Sequence, residues 1–131
     1  MGGLKSEIKL INVYMAETII QSKSFNFAVR VVKLYQYLCR EQHEFILSKQ
    51  LLRSGTSIGA NVREAKRAQS TPDFGTKLSI ALKEAEESLY WLELLKATDY
   101  LTKEQYENIY FDCEELVKLL SAATKKVFNK E

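Results

Sequence analysis

Proline occurs once in the 131 residues and glycine five times. A chain so poor in turn formers does not suit sheet architectures built from many short strands. Histidine occurs once and cysteine twice, too few for a conventional zinc site or a disulfide framework. No run approaches the roughly 18 consecutive apolar residues of a membrane span, so no membrane partner is expected. The N-terminus lacks the charged start, apolar block and small-residue cleavage site of a secretory signal, which predicts a cytoplasmic protein. What is present is 46% hydrophobic and 27% charged residues, enough for one core under a solvated surface, at a length that fits one domain.

The net charge of +2 hides an uneven distribution. Residues 22–47 carry four Lys or Arg against two Glu, and residues 48–70 carry five against one. Residues 71–100 reverse the balance with three Lys against six acids, and residues 101–131 carry five Lys against six acids. Segments of opposite sign attract within one molecule or between copies, and a basic stripe also suits nucleic acid.

Helix-start signals recur along the chain. Thr71, Pro72 and Asp73 combine an N-cap, a proline at the first helical position and an acid in the first turn. Thr102 with Gln105 three residues on fits a capping box. Ser48, after Phe45-Ile46-Leu47, and Ser24, ahead of Phe25-Asn26-Phe27, are further candidate caps. Four helices follow, near 24–42, 48–69, 72–98 and 102–128. Their apolar residues agree. Phe74, Leu78, Ala81, Ala85, Leu89 and Leu92 share one helical face, as do Tyr106, Ile109, Cys113, Leu116, Leu120, Ala123 and Val127. Leu51, Gly55, Ile58, Val62 and Ala65 repeat four-three-four-three, a packing seam. Short gaps force sequential helices to lie antiparallel. The expectation is an all-α, up-down-up-down, antiparallel four-helix bundle over residues 22–128. Residues 1–21, where Ile8, Ile11 and Tyr14 keep a partial helical rhythm, form an N-terminal tail or accessory helix.

One apolar stripe per helix fills such a core, and this chain has more. The first helix carries two rows, one of Ala28, Val32, Tyr35 and Cys39 and one of Phe27, Val31, Leu34 and Leu38. The third carries Ile80, Tyr90, Trp91 and Leu94 away from its main stripe. With the Val32 row inward, Phe27, Val31, Leu34, Leu38, Ile80, Tyr90, Trp91 and Leu94 become candidate oligomer-interface residues, since surplus apolar surface marks contact. The alternative is a rotated bundle that hides both rows inside one protomer.

The second helix is rich in small residues. Ser54, Gly55, Ser57, Gly59 and Asn61 suit close helix packing, because each mid-helix Gly costs about 1 kcal/mol of propensity. Ser54, Ser57 and Asn61 lie on one side, within reach of a facing helix or another subunit. On the opposite side Lys49, Arg53, Arg63 and Arg67 fall within an arc of about 80°. Such a row contacts successive phosphates with little sequence preference, or else pairs with Glu84, Glu86, Glu87 and Glu93 of a neighbouring helix.

Catalytic constellations are missing. Glu84, Glu87 and Glu93 have no accompanying histidine, unlike the Glu-x-x-His pairs of di-iron bundles. His43 falls in a predicted connection, and Cys39 and Cys113 fall on apolar stripes, where buried structural thiols are the rule. No enzyme, cofactor or metal site is expected.

The run from Ser48 to Ala65, SKQLLRSGTSIGANVREA, resembles the signature of the small bacterial four-helix bundle proteins encoded in intervening sequences of 23S ribosomal RNA genes. Lys77–Ala85, Leu89–Leu95 and Ser24–Ala28 fit the same family, and the likeness covers about residues 20–125. That resemblance implies an antiparallel bundle assembling into a ring-shaped homopentamer. The family is similar to the accessory variability protein of diversity-generating retroelements, a basic oligomer that the resemblance associates with binding of nucleic acid and reverse transcriptase, and it has no catalytic residues to carry over. Residues and resemblance together predict a non-enzymatic oligomeric adaptor whose basic helix face meets RNA or DNA. A protein-only scaffold that recruits a partner protein, with the stripe spent on ion pairs, is the alternative.

Overall fold

The computed structural model describes the backbone of residues 2–129 and the side chains of residues 17–129. Four helices, α1 (Gly2–Arg40), α2 (Leu47–Ala65), α3 (Thr71–Ala97) and α4 (Lys103–Asn129), make up the fold, with no strand among the described residues. Each helix packs on the next, and α4 closes on α1, so α1 and α3 face each other across a diagonal, as do α2 and α4. Every neighbouring pair is antiparallel. Gly55 and Gly59 of α2 meet Val31 and Ser24 of α1 in reverse order. Ser54 and Glu64 meet Ser88 and Lys77 of α3, and Ala85 and Glu93 of α3 meet Cys113 and Tyr110 of α4. Lys23 and Arg30 of α1 pair with Glu115 and Asp112 of α4.

Local chemistry sets the boundaries, with three departures from the sequence expectation. Ser24 caps nothing: α1 runs unbroken through it, and its buried hydroxyl donates to the Gln21 carbonyl at 3.1 Å. No Gly or Pro lies between Leu4 and Gly55 to stop the helix earlier. Nor does Ser48 cap α2. The helix starts at Leu47, and the Glu44 carboxylate receives the free N–H groups of Ile46, Leu47 and Ser48 at 3.1, 3.0 and 2.7 Å. For α3 the cap is Ser70 rather than Thr71, its hydroxyl accepting from the Asp73 N–H at 3.2 Å. The capping box at Thr102 is present in both directions, at 2.9 and 3.1 Å. Asp99 closes α3 in the left-handed conformation, with φ 68°. The Tyr100 and Asp99 N–H groups bond back to the Leu95 and Lys96 carbonyls, a Schellman closure with Asp where Gly is usual.

One core runs the length of the bundle. It holds Phe27, Val31 and Leu38 of α1, Leu51 and Ile58 of α2, Leu78, Ala85 and Leu92 of α3, and Ile109, Leu116 and Leu120 of α4. Ile8, Ile11 and Tyr14 lie outside the described side chains.

Candidate nucleic-acid interface

The cationic row stands on the outside of α2. All four are exposed: Lys49, Arg53 and Arg63 extend over about 21 Å of α2 at 1.5 Å per residue, and Arg67 lies in the turn two residues past Ala65, because the helix stops short of the expected residue 69. They are not electrostatically equivalent. Arg53 reaches across to α3, where its guanidinium pairs with Glu84 at 3.1 Å and with Glu87. Among the described residues no carboxylate comes within 4.0 Å of the charged nitrogens of Lys49, Arg63 or Arg67. Glu64, the one acid in the segment, is engaged at 3.7 Å by Lys77 of α3. Two of the four cations therefore stand at one end of α2 and two at the other, with Arg53 alone neutralised.

The rest of α2 fixes this row in place. Ser54 and Ser88 are fully buried and share a hydrogen bond of 2.8 Å between α2 and α3. Each hydroxyl also has a carbonyl of its own helix within reach, Glu84 for Ser88 at 2.9 Å and Leu51 for Ser54 at 3.4 Å, so either can be the donor of that pair. Gly55 lies so close to α1 that a Cβ there would come within 2.8 and 2.9 Å of the Val31 methyl groups. Gly59 faces the Ser24 carbonyl, with room for a Cβ at 3.4 Å. Ser57 and Asn61 do not reach a facing helix. Their side chains donate to the carbonyls of Arg53 and Ser57, at 2.6 and 2.8 Å, one turn back along α2 itself. A carbonyl four residues earlier on the same helix takes each proton, so these polar groups are satisfied locally.

Glu44 was not among the residues singled out by sequence. It is only 7% exposed. Burial opposes its charge, yet the backbone N–H groups of Ser48, Leu47 and Ile46, with the Ser48 hydroxyl, outweigh burial and lower its pKa below the ordinary value. The signal for it was weak: an acid four residues before Ser48, in a stretch with no small polar residue at the N-cap position.

Apolar candidates divide between inside and outside. Phe27, Val31 and Leu38 are 0–1% exposed within a single protomer, which corrects their assignment as interface residues. The two rows of α1 have exchanged roles, because α2 and α4 converge on the Phe27 side and leave Val32 facing out. Leu34, Trp91 and Leu94 are half-buried, with Leu34 and Trp91 packed on the core, while Ile80 and Tyr90 are exposed. The Trp91 indole N–H is buried with no acceptor among the described residues. Exposed apolar side chains that were not among these candidates include Phe25, Val29 and Val32 on α1 and Phe111 on α4.

Reactive groups are dispersed. Glu84 and Glu87 receive Arg53, and Glu93 accepts from the Tyr110 hydroxyl at 3.3 Å. The buried Cys113 thiol donates to the Ala85 carbonyl at 3.3 Å, and burial pushes its pKa up to about 12. Cys39 is half-buried, 4.0 Å from the Ser48 hydroxyl. His43 is exposed in the α1–α2 connection. No group of three or more His, Cys, Asp or Glu with metal-binding geometry occurs among the described residues, and none of their helices is long and apolar enough to cross a membrane.

The family described as 23S rRNA-intervening sequence protein matches residues 16–122. The chain belongs to this family. A solved structure similar to it is that of a protein of unknown function from the S23 ribosomal protein family of Bacteroides thetaiotaomicron, 58% identical, covering 84% of this chain and 98% of that one, with a TM-score of 0.83. No curated protein matches the chain. The matched span of the 23S rRNA-intervening sequence family takes in α2, the α2–α3 connection and α3, and so all four cations of the row and both partners of Arg53. Neither the family nor its structural neighbour is described as catalytic.

Proposed function

We propose that this 23S rRNA-intervening sequence family member is a non-enzymatic, cytoplasmic, self-associating adaptor that holds the phosphate backbone of RNA or DNA against the outside of α2. Residues 22–128 are the working bundle and residues 1–21 an accessory extension whose Ile20 joins the bundle core. The observation that carries the reading is the exposed set of Lys49, Arg63 and Arg67 with no carboxylate beside them among the described residues. Cations already paired gain little from a phosphate, whereas free ones release a counterion from the nucleic acid for each contact. Three contacts per protomer are weak alone, and assembly into a ring, as the family resemblance implies a homopentamer, multiplies them.

Fluorescence anisotropy with a structured RNA and a DNA duplex tests this. Three phosphate contacts on a duplex give a slope of log K against log salt of about −2.7, so raising salt from 50 to 200 mM is expected to weaken binding about 40-fold. The double variant Arg63→Glu with Arg67→Glu is expected to remove it. Absence of binding by the wild-type chain at 50 mM salt sinks the reading. One observation favours the alternative of a protein-only scaffold, namely the pairing of Arg53 with Glu84 and Glu87. On that alternative the row serves helix docking, and no salt-sensitive nucleic-acid binding is measured.

A further inference from the structure

The outer face of α1 combines apolar surface with unpaired positive charge. Phe25, Val29 and Val32 are spaced i, i+4, i+7, which places them on one continuous stripe, and they are 55%, 38% and 37% exposed. The stripe points away from the core row of Ile20, Phe27, Val31 and Leu38. Lys33 adjoins Val32 and Arg40 lies two turns on, and neither has a carboxylate within 4.0 Å among the described residues. The segment 17–40 carries four Lys or Arg against one Glu.

The outer face of α4 is its complement. Phe111 is 64% exposed, with Glu107 one turn before it and Glu114 and Glu115 one turn after. The segment 103–115 carries five acids against one Lys. Internal pairs use Glu115, Asp112 and Glu107, which leaves Glu104 and Glu114 unmatched among the described residues. Other exposed apolar groups make no comparable face: Ile80 and Tyr90 are ten residues apart on α3, Phe45 and Ile46 sit at the α1–α2 connection, Ile19 lies about 120° round α1 from Phe25, and Phe128 stands alone in the last turn of α4.

We infer that a second copy of this chain is the occupant: the α1 stripe of one protomer receives Phe111 and the acidic first half of α4 from the next. The contact rests on the self-association proposed above and adds its two surfaces. It buries the exposed aromatic ring of α4 against the phenyl and valine side chains of α1 and sets lysine and arginine opposite glutamate. It also leaves α2 free, so assembly and nucleic-acid contact use different sides of the bundle.

Light scattering on the full chain, with circular dichroism to verify the fold, tests the pairing. Val29→Glu and Phe111→Glu, both outward-facing changes, are each expected to reduce the assembly to monomers with helicity retained. Phe25→Gln serves as a second α1 variant. An equimolar mixture of Val29→Glu and Phe111→Glu is expected to yield a two-chain species, since one variant keeps an intact α4 face and the other an intact α1 face. A wild-type assembly indifferent to Phe111→Glu, or a mixture that stays monomeric, overturns the pairing while leaving self-association standing. A monomeric wild-type chain overturns both.

Discussion

Glu44 is the residue whose chemistry departs furthest from its composition-level expectation. An acid in a connection is ordinarily solvated, but here its carboxylate is enclosed and takes three N–H groups that helix geometry leaves without partners. Next to it, Phe45 and Ile46 are exposed, so the connection buries its acid and turns its apolar pair outward. Replacing the charge while keeping the shape, as in Glu44→Gln, is expected to cost about 1–2 kcal/mol by loss of charge-assisted bonds. Its pH dependence has a definite sign. The folded pKa lies below the ordinary 4.5, so the stabilisation is fully present above 4.5 and is lost as pH falls through the lower folded value. Urea denaturation at a series of pH values from 6 to 3 is expected to show wild type converging on Glu44→Gln at the acid end. Parallel curves would mean that the carboxylate does not titrate differently in the two states. Sequence reading missed this residue because propensity rules look for Ser, Thr, Asp or Asn at the N-cap itself, whereas Glu44 has the reach to cap from two residues before it.

At the level of elements, α1 and α2 show what periodicity conveys and what it leaves open. The number of helices, their order and the seam of α2 were legible from spacing alone, because Leu51, Ile58 and Val62 recur at helical intervals and are buried. Which row of α1 turned inward was not legible. The Phe27 and Val32 rows are both apolar with the same spacing, and only the positions of α2 and α4 decide between them. The start of α1 was lost for a related reason, since Ser24 resembles a cap in sequence but lies inside a continuous helix. The α1–α2 approach also separates two glycines that a propensity scale treats alike. Gly55→Ala gains about 1 kcal/mol of helix propensity but drives a methyl into the β-branched, fully buried Val31. Overpacking of this kind costs about 1–3 kcal/mol, so a net loss is expected. Gly59→Ala meets only ordinary contact at 3.4 Å, and the propensity gain of up to about 1 kcal/mol is expected to survive. Chemical denaturation of the two variants checks the contrast, and equal shifts would show that the close approach at Gly55 is relieved by movement of α1.

For the whole molecule, charge is divided by helix, with basic α1 and α2 segments against more acidic α3 and α4 segments. The family was readable from the α2 motif, because the small residues that bring Ser54 to Ser88 and Gly55 to Val31 are an unusual combination in one helix. The electrostatic state of each arginine was not, since Arg53 and Arg63 look alike in a helical wheel and differ only in what α3 places beside them. That difference sets the two functional readings against each other in one experiment. Glu84→Gln with Glu87→Gln removes the charges that neutralise Arg53 while keeping side chains able to hydrogen-bond to it. Arg53 is half exposed while Glu84 and Glu87 are half-buried, and solvent-screened pairs of this type contribute about 1 kcal/mol or less each, so the bundle is expected to remain folded. If the α2 row binds a phosphate backbone, the freed Arg53 adds a fourth contact and the salt slope on duplex DNA steepens by about 0.9, from about −2.7 to about −3.6. Affinity at low salt is expected to rise with it. If the row exists to dock helices, the same variant loses stability and acquires no salt-dependent binding, and the functional claim for Lys49, Arg63 and Arg67 fails with it.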